Sequence, residues 1–307
     1  MKNCFITGIL CILLGIIFLY KEDIQRLYSK LFLQKNTAIT LKEKNEYYRD
    51  YNFEFVQNTE NFLPENKTDL YNIYYTAVNS GKESFTFYCP DKYKSCLEDI
   101  KYLANDEITL SDINNFVHPY NSFDHIETEY DTLGKVTIKV NHIYTDEHIN
   151  EINTKINSLK QELIKENISQ EEQIKIIHDY IINNSKYDSD RSDRNIVNYK
   201  SDIAYGPLFE GYAICGGYTD LMAIFLNELN IVNYKISSRN HVWNAVKLNN
   251  IWYNLDLTWD DPVTSDGSNY LSHNYFLIST EELLDLEKIE HSFDGNVYKE
   301  LNIKTIQ

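Results

Sequence analysis

The sequence predicts an α+β protein: an apolar N-terminal helix, a small α+β unit, and a C-terminal part that combines helices, one with a cysteine at its start, with an antiparallel hairpin. Three stretches carry this reading. "RNHVWNAVKLNNIWYNLDLTWDDP" (239–262) contains two alternating runs around Asn249-Asn250, a good two-residue hairpin turn. In "GYAICGGYTDLMAIFLNELN" (211–230), Leu221, Met222, Phe225, Leu226 and Leu229 recur at helical spacing. "SQEEQIKIIHDYIINN" opens on a Ser169–Glu172 capping box and carries an Ile174, Ile177, Ile181 stripe.

Residues 1–20 are expected to form a membrane anchor. Residues 4–20 hold no charge, and at 1.5 Å per residue they reach about 26 Å, near the lower limit for a bilayer. No A-x-A-like cleavage site follows, and neither Cys4 nor Cys11 has the small preceding residue of a lipidation site. Lys21, Arg26, Lys30 and Lys35 outnumber Lys2 and by counting favour a cytoplasmic C-terminal side. Long domains translocate largely regardless of such charges, so the globular part is expected outside the membrane.

Residues 21–64, polar with scattered aromatics, read as a stalk or linker. Residues 65–145 read as a small α+β domain: a strand at "ESFTFY", a helix at "DKYKSCLEDIKYLAND", and two strands about a Leu-Gly turn in "HIETEYDTLGKVTIKVNHIYT". Residues 146–307 form the C-terminal domain, which opens on a long helix with Ile149, Ile152, Ile156, Leu159 and Leu163 on one face.

The formal net charge of −17 argues against a nucleic-acid partner, which requires a basic face. The 25 tyrosines, with frequent Asn, Ile and Lys, suit AT-rich codons and hence a low-GC bacterium. Of five cysteines, Cys89 and Cys96 lie seven positions apart across an expected turn; a disulfide would suit an exported protein, and two ordinary thiols remain the alternative. There is no C-x-x-C, so a structural zinc site is not expected. His178, beside Asp179, and His118 are expected to be packed or surface residues rather than catalysts, and His291 has no partner that spacing can name.

Cys215 falls at the helix start, where unpaired N–H groups and the dipole favour a thiolate, the nucleophilic form. Gly216 and Gly217 would let a substrate approach the backbone closely, and the Cys215 N–H is a natural oxyanion donor. A buried, inert cysteine fits this stretch alone equally well.

The hairpin alters that balance. With Asn249-Asn250 as the turn, Leu248 faces Ile251. One face then carries Val242, Asn244, Val246, Leu248, Ile251, Tyr253, Leu255 and Leu257, the expected core face. His241, Trp243, Ala245, Lys247, Trp252, Asn254, Asp256 and Thr258 share the other, where the tryptophans are expected to wall a cleft. His241 and Asp256 are diagonal neighbours there, within reach of each other. A carboxylate on an imidazole fixes its tautomer and favours its charged form. Cys215, His241 and Asp256 thus read as nucleophile, base and orienting acid, against the bland alternative of a surface His–Asp pair.

The segments "GYAICGGYTDLMAIFLNELNI" and "HVWNAVKLNNIWYNLDLTWDDP" resemble the transglutaminase-like superfamily, closest to its bacterial cysteine-protease branch: a C-x-GY motif, then HAWN, then WY-x-x-D-x-TWDDP. The resemblance is specific over about residues 199–262 and implies a papain-like α+β fold, the cysteine helix packed on an antiparallel sheet, with Cys215, His241 and Asp256 in the catalytic positions. Val242 stands where the family usually has Ala. A second oxyanion donor is not fixed by any motif; Tyr187 or Tyr205 could serve. Calcium activates some animal relatives, but the acidic loop with Asp260, Asp261 and Asp266 lacks the EF-hand pattern, and no cofactor or metal is expected.

The resulting expectation is a membrane-anchored, extracytoplasmic thiol acyl-transfer enzyme, a peptidase or amidase or a cross-linker. It would act on peptide or protein amides at the cell surface, including cell-wall peptides. A non-catalytic binding or scaffolding module on the same fold is the alternative, and keeping all three groups speaks against it.

Overall fold

The computed structural model describes residues 43–263 and 270–302, with Leu41 and isolated positions between 15 and 24. Apart from those positions, the expected anchor lies outside the described residues. Among the described residues no helix is long and apolar enough to cross a membrane.

Among residues 43–302, the first helix described is α1 (Lys67–Asn79), whose first turn is capped by the Asn66 side chain accepting from the Asp69 N–H. Then come β1 (Ser84–Tyr88), α2 (Cys96–Leu103), α3 (Glu107–Asn115), β2 (Phe123–Tyr130) and β3 (Lys135–His142). The strands form an antiparallel sheet in the order β1-β3-β2. Gly134, at φ +90°, turns the β2–β3 hairpin where Leu-Gly was expected to. Helix α2 starts only at Cys96, because the preceding residues are drawn into a turn closed by a Cys89–Cys96 disulfide, Cα atoms 5.7 Å apart. Helix α1 escaped the sequence reading for a physical reason. Leu70 and every residue from Ile73 to Asn79 are buried, so no polar face marks the period.

Next come α4 (Asp146–Leu163), α5 (Gln170–Asn184), β4 (Lys186–Tyr187) and α6 (Ser189–Arg194). As the capping box predicts, the Ser169 side chain accepts from the Glu172 N–H. A π-helical turn at Gly206–Glu210 precedes β5 (Tyr212–Ala213), which pairs parallel with β4. Helix α7 (Cys215–Glu228) lies on an antiparallel sheet, order β6-β7-β8, of β6 (Asn233–Ser237), β7 (Val242–Leu248) and β8 (Ile251–Leu255). A short helix α8 (Leu257–Asp260) and α9 (Thr280–Leu286) follow. The fold is therefore α+β with antiparallel sheets, and the cysteine helix packs on one of them.

The β7–β8 hairpin forms in the expected register, Leu248 opposite Ile251 and Asn244 opposite Leu255, with Asn249 and Asn250 at φ 50° and 66°. The expected division of its faces needs correction. Val246, Leu248, Leu255 and Leu257 do join α7 in one core. The other face is no open cleft: Trp243 and Ala245, both 0% exposed, enter a second core with Phe53, Phe116, Tyr234 and Tyr298. Asn254, also on that face, is buried and accepts from the Trp243 indole N–H at 3.0 Å. Lys247, Trp252 and Thr258, at the margins of that face, stay partly exposed.

Residues 43–64 contribute to that second core through Phe53, Val56 and Phe62. Arg49 reaches from the same segment to the carbonyls of Phe116 (3.0 Å) and Asn233 (2.9 Å). The second core also takes in α1, α3 and the β1–β3 sheet, so residues 43–145 form the cover on one side of β6-β7-β8.

Candidate active site

Cys215 is the first residue of α7, half-buried and unbonded to another cysteine. No side chain caps this helix; Ile214, in extended conformation, precedes it. The two glycines behind the cysteine have a structural task. A Cβ on Gly217 would stand 2.3 Å from the Ser201 carbonyl oxygen, and one on Gly216 2.7 Å from that of Asp202. The chain's own 201–203 backbone thus fills the space expected for a substrate. Its Ser201 carbonyl accepts from the Ile214 N–H at 2.8 Å, which pins the helix entry.

His241 immediately precedes β7, and Asp256 immediately follows β8. Hairpin closure brings them together: the His241 Nε2–H donates to Asp256 Oδ2 at 2.5 Å, with side-chain exposures of 4% and 1%. Asp256 is also the N-cap of α8, where Oδ1 accepts from the backbone N–H groups of Thr258 (2.9 Å) and Trp259 (3.3 Å). The His241 ring stacks on Trp243 at 5.6 Å and 17°.

Burial opposes a charge on His241. The Asp256 carboxylate and a hydrogen bond from the ring to the Cys215 sulfur outweigh it and lift the ring to about 10. Burial likewise acts against the Asp256 anion, yet His241 and His291 hold its carboxyl well below the usual range. With Nε2 committed to Asp256, Nδ1 is the ring nitrogen left for the thiol. A cysteine on one side and a carboxylate on the other can therefore exchange and stabilise a proton on one imidazole.

The sequence reading missed His291. Its Nε2–H donates to the same Asp256 Oδ2 at 2.9 Å, and its Nδ1 meets Glu287 Oε2 at 3.1 Å. The one available signal was the Glu287–His291 spacing of four. Of the two tyrosines considered as donors, Tyr187 lies near Cys215: burial pushes its hydroxyl up, and the cysteine's charge adds to the rise. Tyr205 instead packs against His148, Phe209 and Lys200.

His178 is fully buried and bridges Asp179 (2.9 Å) and Asp260 (3.1 Å), tying α5 to α8. Asp261 receives the Tyr218 hydroxyl. The acidic loop's two described members are thus internal partners, and Asp266 lies outside the described residues. Among the described residues two groups place three possible metal-ligand atoms within 4.8 Å: His178, Asp179 and His273, and His241, Asp256 and His291. In the first, the Lys175 ammonium already sits 2.6 Å from Asp179 and 3.0 Å from His273. In the second, Asp256 Oδ2 already accepts from both imidazoles.

Part of the chain is similar to known proteins. The family model described as "Transglutaminase-like superfamily" matches residues 157–257, which run from α4 through the hairpin to the residue after Asp256. Residues 157–257 are thus similar to the transglutaminase-like superfamily. That transglutaminase-like segment is about a third of the chain and contains Cys215, His241 and Asp256. Among curated proteins none matches the chain. Among solved structures, similarity extends to a TGase, at 15% identity over 45% of this chain and 44% of that one, TM-score 0.31. It also extends to a proposed cysteine protease from Cytophaga hutchinsonii, at 14% identity over 48% of this chain and 65% of that one, TM-score 0.28. The chain thus spans less than half of the first and just under two thirds of the second.

Proposed function

We propose that this protein is a thiol acyl-transfer enzyme acting on peptide or protein amides, with Cys215 as nucleophile, His241 as base and acid, and Asp256 as orienting acid. The carrying observation is the buried His241–Asp256 pair at 2.5 Å, with Cys215, at the start of α7, close enough to the ring to add to its rise. The thiol proton passes to His241, and the sulfur attacks the carbonyl carbon. As the tetrahedral intermediate collapses, the C–N bond breaks and His241 protonates the leaving amine. Water, or a second amine, then gives its proton to His241, displaces the sulfur and returns the free thiol. The backbone N–H of Cys215 at the start of α7 would stabilise the oxyanion, while the Tyr187 hydroxyl already donates to Ser192 Oγ at 3.1 Å.

An extracytoplasmic, membrane-anchored placement is part of the proposal. The charge-free residues 4–20 and the Cys89–Cys96 disulfide support it. Cell-surface peptides, including those of the wall, are the substrates such a placement offers.

The test compares wild type with Cys215→Ser in two assays, cleavage of peptide amides and incorporation of a labelled primary amine into acceptor proteins. The wild type should do one or both, and C215S should lose at least about 10³-fold. Wild-type protein inert in both assays, with a Cys215 that resists alkylation, would sink the assignment and favour a binding module. Cleavage without amine incorporation assigns hydrolysis; incorporation assigns cross-linking.

A further inference from the structure

His291 lies outside the matched segment and outside the three groups above, yet it is fully buried against the least exposed of them. Its ring is perpendicular to that of His241, centroids 5.3 Å apart, and both rings direct Nε2 at Asp256 Oδ2. Its other nitrogen faces Glu287 Oε2. Both oxygens belong to ionised carboxylates. Burial disfavours the Glu287 anion, but the backbone N–H groups of Ile289 and Glu290 and the His291 ring itself hold its carboxyl below the usual range. A carboxylate oxygen only accepts, so each His291 nitrogen must donate, and a ring that donates twice is an imidazolium.

The surroundings suit a cation. Trp243, Trp259 and Tyr275 enclose the ring with centroids at 5.0, 5.5 and 5.5 Å, Tyr275 stacked at 18°. Aromatic rings within about 6 Å attract a buried cation through their quadrupoles. The titratable groups facing it are Asp256, Glu287, His241 and the Tyr275 hydroxyl.

We propose that His291 is a positioning residue, a buried imidazolium held by Glu287 and an aromatic box, which fixes Asp256 for His241 and shares its negative charge. The inference rests on the acyl-transfer reading above. In that chemistry His241 must take a proton and give it back to the leaving amine. An Asp256 serving His241 alone would bind that proton more tightly and slow its release. Two imidazoles on one oxygen weaken that grip while keeping the carboxylate ionised. The chain Cys215–His241–Asp256–His291–Glu287 then alternates in charge when Cys215 is a thiolate.

Two variants test this. Glu287→Gln keeps shape at a partly exposed position, and His291→Gln removes the cation. Histidine ¹⁵N NMR of the wild type at pH 7 should show both His291 nitrogens protonated, and E287Q should lose that signature. In both variants the alkaline limb of Cys215 alkylation should move upward by about half a unit or more, since His241 then holds its proton longer. H291Q should lose about tenfold or more in kcat with KM within about threefold. A neutral His291 in the folded wild type, or an alkaline limb unmoved in folded E287Q, would overturn the proposal. The NMR and alkylation readouts need no substrate. Wild-type protein with the imidazolium signature but no acyl transfer would therefore refute the proposed function and not this arrangement.

Discussion

Asp256→Asn separates the orienting role of Asp256 from its structural one. Asparagine is as good an N-cap as aspartate, so the bonds from Thr258 and Trp259 to Oδ1 persist. The amide nitrogen must then take the place of Oδ2 and face two imidazole N–H groups. Donor against donor is untenable, so His241 must present a lone pair at Nε2 and carry its proton on Nδ1, the nitrogen needed for Cys215. The lift of His241 from its ordinary 6.5 to about 10 is worth ~5 kcal/mol at 1.36 kcal/mol per unit. Without the carboxylate, burial works against the charged ring with only Cys215 opposing it. We expect kcat to fall by about 10³–10⁴-fold, the order seen when the tautomer is inverted in a serine-protease triad. Stability should fall by about 3 kcal/mol for a broken buried pair. The check is kcat on a peptide amide together with Cys215 alkylation from pH 5 to 11. Folded D256N with wild-type turnover, or with an unaltered alkylation profile, would refute the reasoning.

The same pair sets the pH dependence of stability. His241 is raised, so its contribution is full below about pH 6.5 and is lost as pH climbs through about 10; Asp256 is lowered, so its contribution is present above about pH 4 and is lost on acidification. Urea midpoints should therefore peak between those two limits and decline on both sides, and D256N should flatten both slopes. Gly217→Ala drives a Cβ to 2.3 Å from the Ser201 oxygen and should cost about 3 kcal/mol or more in denaturant unfolding. Replacing Cys89 and Cys96 with serine opens a short loop and should cost about 2.5 kcal/mol by chain entropy, leaving peptide turnover at 25 °C within about twofold.

What the sequence made legible is local. The Asn-Asn turn fixes the hairpin register, and register alone brings His241 to Asp256. The apolar spacing after Cys215 places that residue at a helix start. What stayed hidden depends on distant partners. His291 meets Asp256 across 35 positions, and no periodicity links them. Gly216 and Gly217 look like room for a substrate until the 201–203 backbone is seen crossing them. The hairpin's second face reads as half polar because Asn254, His241 and Asp256 lie on it. In the fold each of these is paired, so the part of the face that holds them can be buried, while Lys247, Trp252 and Thr258 stay partly exposed.

That burial explains why the site carries so much cover. An ion pair in water gains little, because solvent screens both charges. Driven into the interior, it must be matched by other groups or it destabilises the fold. Here the matching is dense: Asp256 accepts two backbone N–H groups and two imidazoles. The dryness that makes those bonds strong comes largely from Trp243 and the core in which Phe53, Phe116, Tyr234 and Tyr298 lie with it. Phe53 and Phe116 belong to residues 43–145, far from Cys215 in sequence. That part of the chain lowers the dielectric around the His241–Asp256 pair. Loosening it should let water reach the pair and lower the basicity of His241 without touching any of the three reacting groups.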